Sequence, residues 1–455
     1  MAAVRSRPGE QPQRLAATLR TRHVSMIAFG GIIGAGIFVG SGQTIAGTGP
    51  GVVLSYLVAG LLAVVVMRML TALNAQEPAT GAFARYATKA FGSVGGFAVG
   101  WLYWWLMVVT VGVECSTATA IGHAWLPGVS QWIWAAAVMI VFLGANLMPV
   151  RVFAETQFWF VLIKVIALVL TLVAGGLAVF GALHGVLRPG TTNLLDHGGL
   201  FPKGASSVLT GLLVAVFSFV GTEMAAIAAS ESGQPRRTLS GAMRVVMPIM
   251  TILYVGSLLV VVTMVPWNSS AVATSPFSAL FTALGVRSAG QVVDALVFLT
   301  VLSCLNSSMY AASRMAFSLA EQGQGARGLA KLSDRRVPAR AVVLTAAIGF
   351  AMVAVQYVAP SGVFLVLVDS SGAVGLIVWL TIAASYLRLK PRGPKANLHE
   401  TPSRAGFRYV AVAVVVIIIA MLVGMGVLPE TQSQILATLS LAVLIVVVAL
   451  WRDIM

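Results

Sequence analysis

Twelve stretches of this chain are apolar over roughly the 20 residues that a bilayer-spanning helix needs. They lie at about 24–46, 51–73, 94–121, 131–149, 157–182, 205–231, 243–265, 289–314, 339–358, 361–387, 406–428 and 432–451. Of the 455 residues, 58% are hydrophobic and only 9% charged, and the mean hydropathy is +0.93. A soluble globule cannot be built from such a composition. The expected fold is all-α: a polytopic membrane protein of twelve transmembrane helices, the third long enough to tilt.

The formal net charge of +15 does not point to nucleic acid, because the basic residues do not gather on one soluble face. They fall in alternate loops. The N-terminus, Arg68–Lys89, Arg236–Arg244, Arg314–Arg340 and Arg388–Arg408 hold most of the Lys and Arg, whereas the intervening loops hold only Arg188, Lys203 and Arg287. With an even number of spans, this asymmetry predicts that both termini are cytoplasmic. Residues 1–22 carry five arginines and no apolar core, so no cleavable signal peptide is expected and the first span directs insertion. Cys115 and Cys304 lie inside apolar segments, which argues against a disulfide framework and gives no metal-ligand spacing. No Gly-x-x-x-x-Gly-Lys-Ser/Thr loop occurs, so ATP hydrolysis by that route is excluded.

The first span is interrupted in an unusual way. Between Phe29 and Gly42 there are six glycines in an apolar, membrane-length segment. Each interior Gly costs a helix roughly 1 kcal/mol against Ala. Open backbone at membrane depth persists only where protein or a water-filled cavity satisfies it. Free N–H groups at Gly34, Ala35 and Gly36 would form a positive concavity at a half-helix N-terminus, suited to a carboxylate. Small-residue helix packing through Gly36 and Gly40 is the competing explanation. No strand precedes the segment, so it is not a dinucleotide fingerprint.

The sixth span carries a second interruption, Phe217-Ser218-Phe219-Val220-Gly221-Thr222-Glu223. Unpaired carbonyls expected at Phe217, Ser218 and Val220 would attract an ammonium group, unless Gly221 is only a kink. Spans one and six lie five apart and run in opposite directions. Interrupted helices at matching positions of two halves predict an inverted repeat of five helices plus five, with a site at the midplane. The expected organisation is a tail over 1–22, a ten-helix transport core over 23–388, a linker over 389–405, and helices eleven and twelve with a short tail over 406–455.

Glu114, Lys164 and Glu223 place ionisable groups inside apolar spans, where charge is expensive and marks function by default. Lys164 lies about 11 Å into its helix, and a lysine there is a candidate to gain and lose a proton during a cycle. Snorkelling to the interface is the alternative. Glu223 could bind a proton or tie down the unwound turn. Glu114 could meet a cationic group or sit at the outer interface near His123. Asp369 reads as a structural polar contact and Asp294 as solvated. Trp101, Tyr103, Trp104 and Trp105 read as core or interface anchors, while Phe217 and Phe219 flank the break and are the better candidates to line a ligand.

These stretches, together with Gly100-Trp101-Leu102-Tyr103-Trp104-Trp105, Ser303-Cys304-Leu305-Asn306-Ser307, Ala312-Ser313-Arg314-Met315 and Asp369-Ser370-Ser371-Gly372-Ala373, resemble those of a bacterial amino acid permease. The family is the amino acid–polyamine–organocation superfamily, and the chain is most similar to its 4-aminobutyrate (GABA) branch. The resemblance implies proton-coupled import through the cell membrane by a ten-helix inverted-repeat core. It implies that Gly34, Ala35 and Gly36 hold the substrate carboxylate, and that Ile32, Phe217, Ser218 and Val220 offer backbone near the amine, beside Gly221. It places Lys164 where sodium-coupled relatives bind Na⁺. Relatives usually carry Gly-Glu after Arg-Met-Leu at the end of span two; here Arg68-Met69-Leu70 is followed by Thr71-Ala72.

The expected function is secondary active transport of an amino acid or GABA-like substrate by alternating access, with proton coupling through Lys164, Glu223 and Glu114. No cofactor is expected, and the partners are the substrate, the proton and the lipid bilayer, a single chain being sufficient. A gradient-independent exchanger is the nearest alternative, followed by an amino acid sensor or channel. An enzyme is not expected, since no metal cluster or nucleophile–base pair is evident and the five histidines are scattered.

Overall fold

The computed structural model of the protein describes residues 15–34, 36–183, 191–358, 361–390 and 404–454. The described chain is helical, with a single isolated β-bridge between Leu19 and Ser232. The first predicted span is not one helix. It comprises α1 (Thr21–Ile32), a π-helical turn over Gly36–Gly40 and α2 (Ser41–Thr48). After a 3-10 turn at Gly49–Gly51, α3 (Val52–Gln76) returns, and α4 (Ala82–Trp125) runs for 44 residues with non-helical backbone at Gly92. Then come α5 (Gln131–Leu147), α6 (Val150–Val179) and a short α7 (Thr192–Leu195). The sixth span is split into α8 (Ser207–Phe217) and α9 (Met224–Ala229). It is followed by α10 (Pro235–Met264), whose first residue is a proline that needs no helical N–H partner.

The connection after α10 folds into α11 (Ser270–Thr274) and α12 (Pro276–Ala283), with the Ser269 hydroxyl capping α11 by accepting the Val272 N–H. The long α13 (Ala289–Glu321) follows, then a 3-10 turn at Arg327–Ala330 and α14 (Ala339–Val358). The tenth span is also broken, into α15 (Ser361–Asp369) and α16 (Val374–Leu389), and the chain ends with α17 (Arg404–Val427) and α18 (Pro429–Ile454).

Among the described residues, nine helical runs are long and apolar enough to cross a membrane. Gln131–Leu147 and Ser207–Phe217 are apolar but shorter. The predicted spans that fall short are therefore those at 131–149 and 205–231, together with the opening half of 24–46, and the backbone breaks account for the last two. The protein is an all-helical, polytopic membrane protein.

The broken helices occupy the centre. α1 packs against α6, α9, α10 and α13, while α9 touches α1, α10 and α13. Around them α4 carries α13, α14, α16 and α18, and α3 carries α8, α10 and α16. α17 and α18 lie at the rim with largely exposed faces.

Candidate functional site

The two breaks touch. Gly221 has φ +107°, and a methyl group placed on it would stand 2.6 Å from the carbonyl oxygen of Gly31. Only glycine permits both that backbone angle and that approach. The break in the sixth span therefore crosses directly over the last turn of α1. On the far side of the crossing, a methyl group on Gly36 would meet nothing closer than the Ser218 hydroxyl, at 3.8 Å, and Gly36 is exposed. Ala35 lies outside the described residues.

The hydrogen bonding refines the expected cradle. Gly34 N–H is not free: it donates to the Ile32 carbonyl at 3.0 Å, closing a tight turn where α1 ends. The Ile32 carbonyl also accepts from the Tyr254 hydroxyl at 3.0 Å, so it is occupied rather than open to an amine. The Phe217 carbonyl likewise accepts the Val220 N–H at 3.1 Å. Among the described residues no backbone N–H donates to Ser218 O or Val220 O, so two of the three carbonyls expected to be open remain available. The Ser218 hydroxyl pairs with that of Tyr56 at 3.0 Å. Tyr56 and Tyr254 meet edge-on, and Phe219 packs on Tyr254 with ring centroids 5.3 Å apart. Phe219 is wholly buried in this way, which leaves the partly exposed Phe217 as the aromatic beside the break.

Lys164 does not snorkel. It is 1% exposed, and its Nζ donates to the carbonyls of Gly30 at 3.1 Å and Ile33 at 2.7 Å. These carbonyls belong to the last turn of α1, where orphan C=O groups and the helix dipole favour a cation. Glu114 is buried too, and it belongs to the break rather than to the outer interface. A methyl group on Gly34 would stand 2.8 Å from Glu114 Oε1 and 3.3 Å from Cys304 Sγ. Cys304 Sγ donates to the Gly31 carbonyl at 3.8 Å, on the same turn whose carbonyls Lys164 holds. One lysine, one carboxylate and one thiol thus surround the end of α1.

Glu223 has a different place. Its two carboxylate oxygens accept the Gly221 N–H at 3.0 and 3.2 Å, and Thr222 Oγ1 and Trp379 Nε1 donate to Oε2 at 3.4 and 3.5 Å. This carboxylate pins the unwound turn. Trp101, Tyr103, Trp104 and Trp105 act as core anchors: Trp101 Nε1 donates to Gln324 O and Trp105 Nε1 to Ser370 Oγ. Asp294 is exposed, as expected. Glu77 does not replace the carboxylate missing at Ala72. It pairs with Arg85 and Lys89 across the turn into α4, while α3 meets the start of α10 through Asn74 and the Gln76 carbonyl.

Three sets of contacts were not read from the sequence. A buried amide–hydroxyl network lies behind Gly30, in which Gln157 Nε2 donates to Ser303 and Ser307, Asn306 donates to Gln157, and Asn146 donates to Asn306. Its members are single neutral residues on helices far apart in the chain. The second is the Tyr56–Tyr254 pair. The third is a closure at the end where α1 begins. There Arg314 Nε donates to Glu231 Oε1 at 3.0 Å, Tyr310 donates to the same oxygen at 2.7 Å, and both charged residues are at most 1% exposed. The Arg314 guanidinium lies 4.1 Å from the Tyr310 ring, which stacks on Phe153, and Leu19 N–H donates to Glu231 O. Among the described residues no cluster of His, Cys, Asp and Glu suited to a metal is found.

Residues 23–455 match the amino acid permease family. The chain is 40% identical to the gamma-aminobutyric acid permease of Bacillus subtilis over 92% of its length and 90% of that protein's. It is 40% identical to the gamma-aminobutyric acid permease of Escherichia coli over 84% and 82% of the two chains. It is 39% identical to the aromatic amino acid transport protein AroP of Corynebacterium glutamicum over 82% and 81%. A match from the first turn of α1 to the last residue, joined to two broken helices crossing at the centre of an all-helical bundle, makes the chain a member of the amino acid permease family: a membrane transporter, similar to GABA permeases, and not an enzyme.

Proposed function

We propose that this protein imports an amino acid or GABA-like substrate by alternating access, driven by an inward proton gradient. The core is a ten-helix inverted repeat within twelve spans, and both termini are cytoplasmic. The observation that carries the reading is the close crossing of Gly31 and Gly221, with Gly36 facing Ser218, the Ser218 and Val220 carbonyls receiving no backbone N–H among the described residues, and Lys164 on the end of α1. Backbone donors suit a carboxylate, and open carbonyls suit an ammonium group. Glu114, beside Gly34, supplies a further anionic contact for an amine or a proton. Lys164 is the coupling group, because its hold on α1 depends on how many protons it carries. Glu223 holds the sixth-span turn in shape.

The test is uptake by purified protein in liposomes across a broad panel of amino acids and GABA. Accumulation under an inward proton gradient, collapsing with an uncoupler, is the expected result. No accumulation of any substrate would sink the importer reading. The full engagement of Lys164 by two carbonyls also fits a fixed cap, and hence an exchanger. In that case counterflow would persist and net uptake would ignore the gradient.

A further inference from the structure

At the end of the bundle where α1 begins, a cavity of about 250 Å³ is lined by Thr18, Arg20, Arg22, His23, Arg151 and Glu155. Three guanidinium groups and one carboxylate share it. The carboxylate is already matched: Arg22 Nη2 lies 2.6 Å from Glu155 Oε1, and His23 Nε2 lies 3.1 Å from the same oxygen. Among the described residues, Arg20 and Arg151 form no ion pair, and both are exposed. The cavity therefore presents two uncommitted guanidinium groups, a geometry that favours an anion with paired oxygens.

Arg151 and Glu155 lie on α6, and an exposed apolar face of the same helix starts beside them. Starting one residue after Arg151, α6 exposes Val152, Trp159, Ile163, Ile166 and Leu170, each at least 45% exposed. Their spacings of seven, four, three and four put them on one helix face. At 1.5 Å per residue the stripe runs about 27 Å from the level of the cavity, longer than one leaflet's share of a ~30 Å hydrocarbon core. A basic cavity next to an exposed apolar stripe on the same helix suits a phospholipid, headgroup in the one and acyl chain along the other. A free anion would use only the first part.

We propose that this cavity binds the phosphate headgroup of an anionic phospholipid, with Arg20 and Arg151 as its ligands and an acyl chain along the α6 stripe. The occupant would bear on the segment that leads into α1. Arg20 N–H donates to His23 Nδ1, and the neighbouring Leu19 N–H donates to Glu231 O in the buried closure. Holding Arg20 thus holds the segment that seals this end of the bundle.

The test uses the full chain in detergent micelles, with thermal unfolding followed as phosphatidylglycerol, phosphatidylcholine or inorganic phosphate is titrated. Phosphatidylglycerol raises the unfolding temperature saturably, because it binds the folded state; phosphatidylcholine at equal mole fraction does not. In Arg20→Gln/Arg151→Gln, both exposed positions, the half-saturating lipid fraction rises roughly 25-fold, about fivefold for each basic residue removed. Equal stabilisation of wild type and variant, or no effect of phosphatidylglycerol on either, would overturn the proposal. So would inorganic phosphate reproducing the full effect, which would make the cavity a free-anion site.

Discussion

Two glycines at the crossing carry opposite expectations. At Gly36 an added methyl group meets only the Ser218 hydroxyl, at ordinary contact distance. Gly36→Ala should therefore insert and unfold like the wild type, yet lose uptake, because the new group occupies the space in which a carboxylate would approach the backbone; Gly36→Val should abolish uptake with insertion intact. At Gly221 the backbone angle is strained for any other residue, and the Gly31 carbonyl stands in the way. Gly221→Ala should cost roughly 1–3 kcal/mol of folded-state stability from the angle alone, with more from the clash. Thermal unfolding and uptake measured on the same preparations separate the two. If Gly36→Ala transports normally, the carboxylate site lies elsewhere. At this scale the glycines were legible in the sequence because an interrupted apolar run is conspicuous. The occupied Ile32 carbonyl was not, because its partner Tyr254 lies 222 positions away in an otherwise ordinary apolar helix.

Between elements, the decisive contact is the buried pair of Glu231 and Arg314, which ties the end of α9 to α13 with the segment before α1 bonded alongside. The pair is expected to bar solvent from the crossing at this end. Arg314→Gln leaves Glu231 buried without its cation and should destabilise the closed form by about 3–5 kcal/mol. Glu231→Gln/Arg314→Gln should recover part of that, since no lone charge remains. Cys304 is a built-in reporter: it is 4% exposed and stands beside Gly34. With Cys115 replaced by Ala, a membrane-impermeant thiol reagent supplied from the α1 side should label Cys304 faster in Arg314→Gln than in wild type. Unchanged labelling would mean that the pair is no barrier. The breaks in spans one and six were readable because glycine marks them. The break between α15 and α16 was not, because Asp369-Ser370-Ser371-Gly372 reads as a mildly polar patch. Its backbone is satisfied from a distant helix, with Thr438 donating to Asp369 O and accepting the Ala373 N–H.

For the whole molecule, the proposed proton coupling turns on Lys164, which joins the surrounding bundle to the broken α1. Its helix belongs to the surrounding bundle, held to α13 by the Gln157 network, whereas the carbonyls it grips belong to the broken α1. An ammonium group favours that grip; a neutral amine loses the charge that favours it and one of its donors. Proton loss therefore weakens the tie between bundle and α1, and proton gain restores it, which is the differential interaction that a coupled cycle requires. Glutamine at this position keeps donors but cannot exchange a proton. In Lys164→Gln, gradient-driven accumulation should fall by roughly 5–150-fold, the span of an ordinary coupling free energy, while counterflow of labelled substrate under equal pH stays near the wild-type rate. Loss of both activities would place Lys164 in substrate binding, and survival of both would reduce it to a helix cap. Uncoupling with exchange preserved is the one outcome that a fixed cap cannot produce, because a fixed cap contributes equally to both measurements.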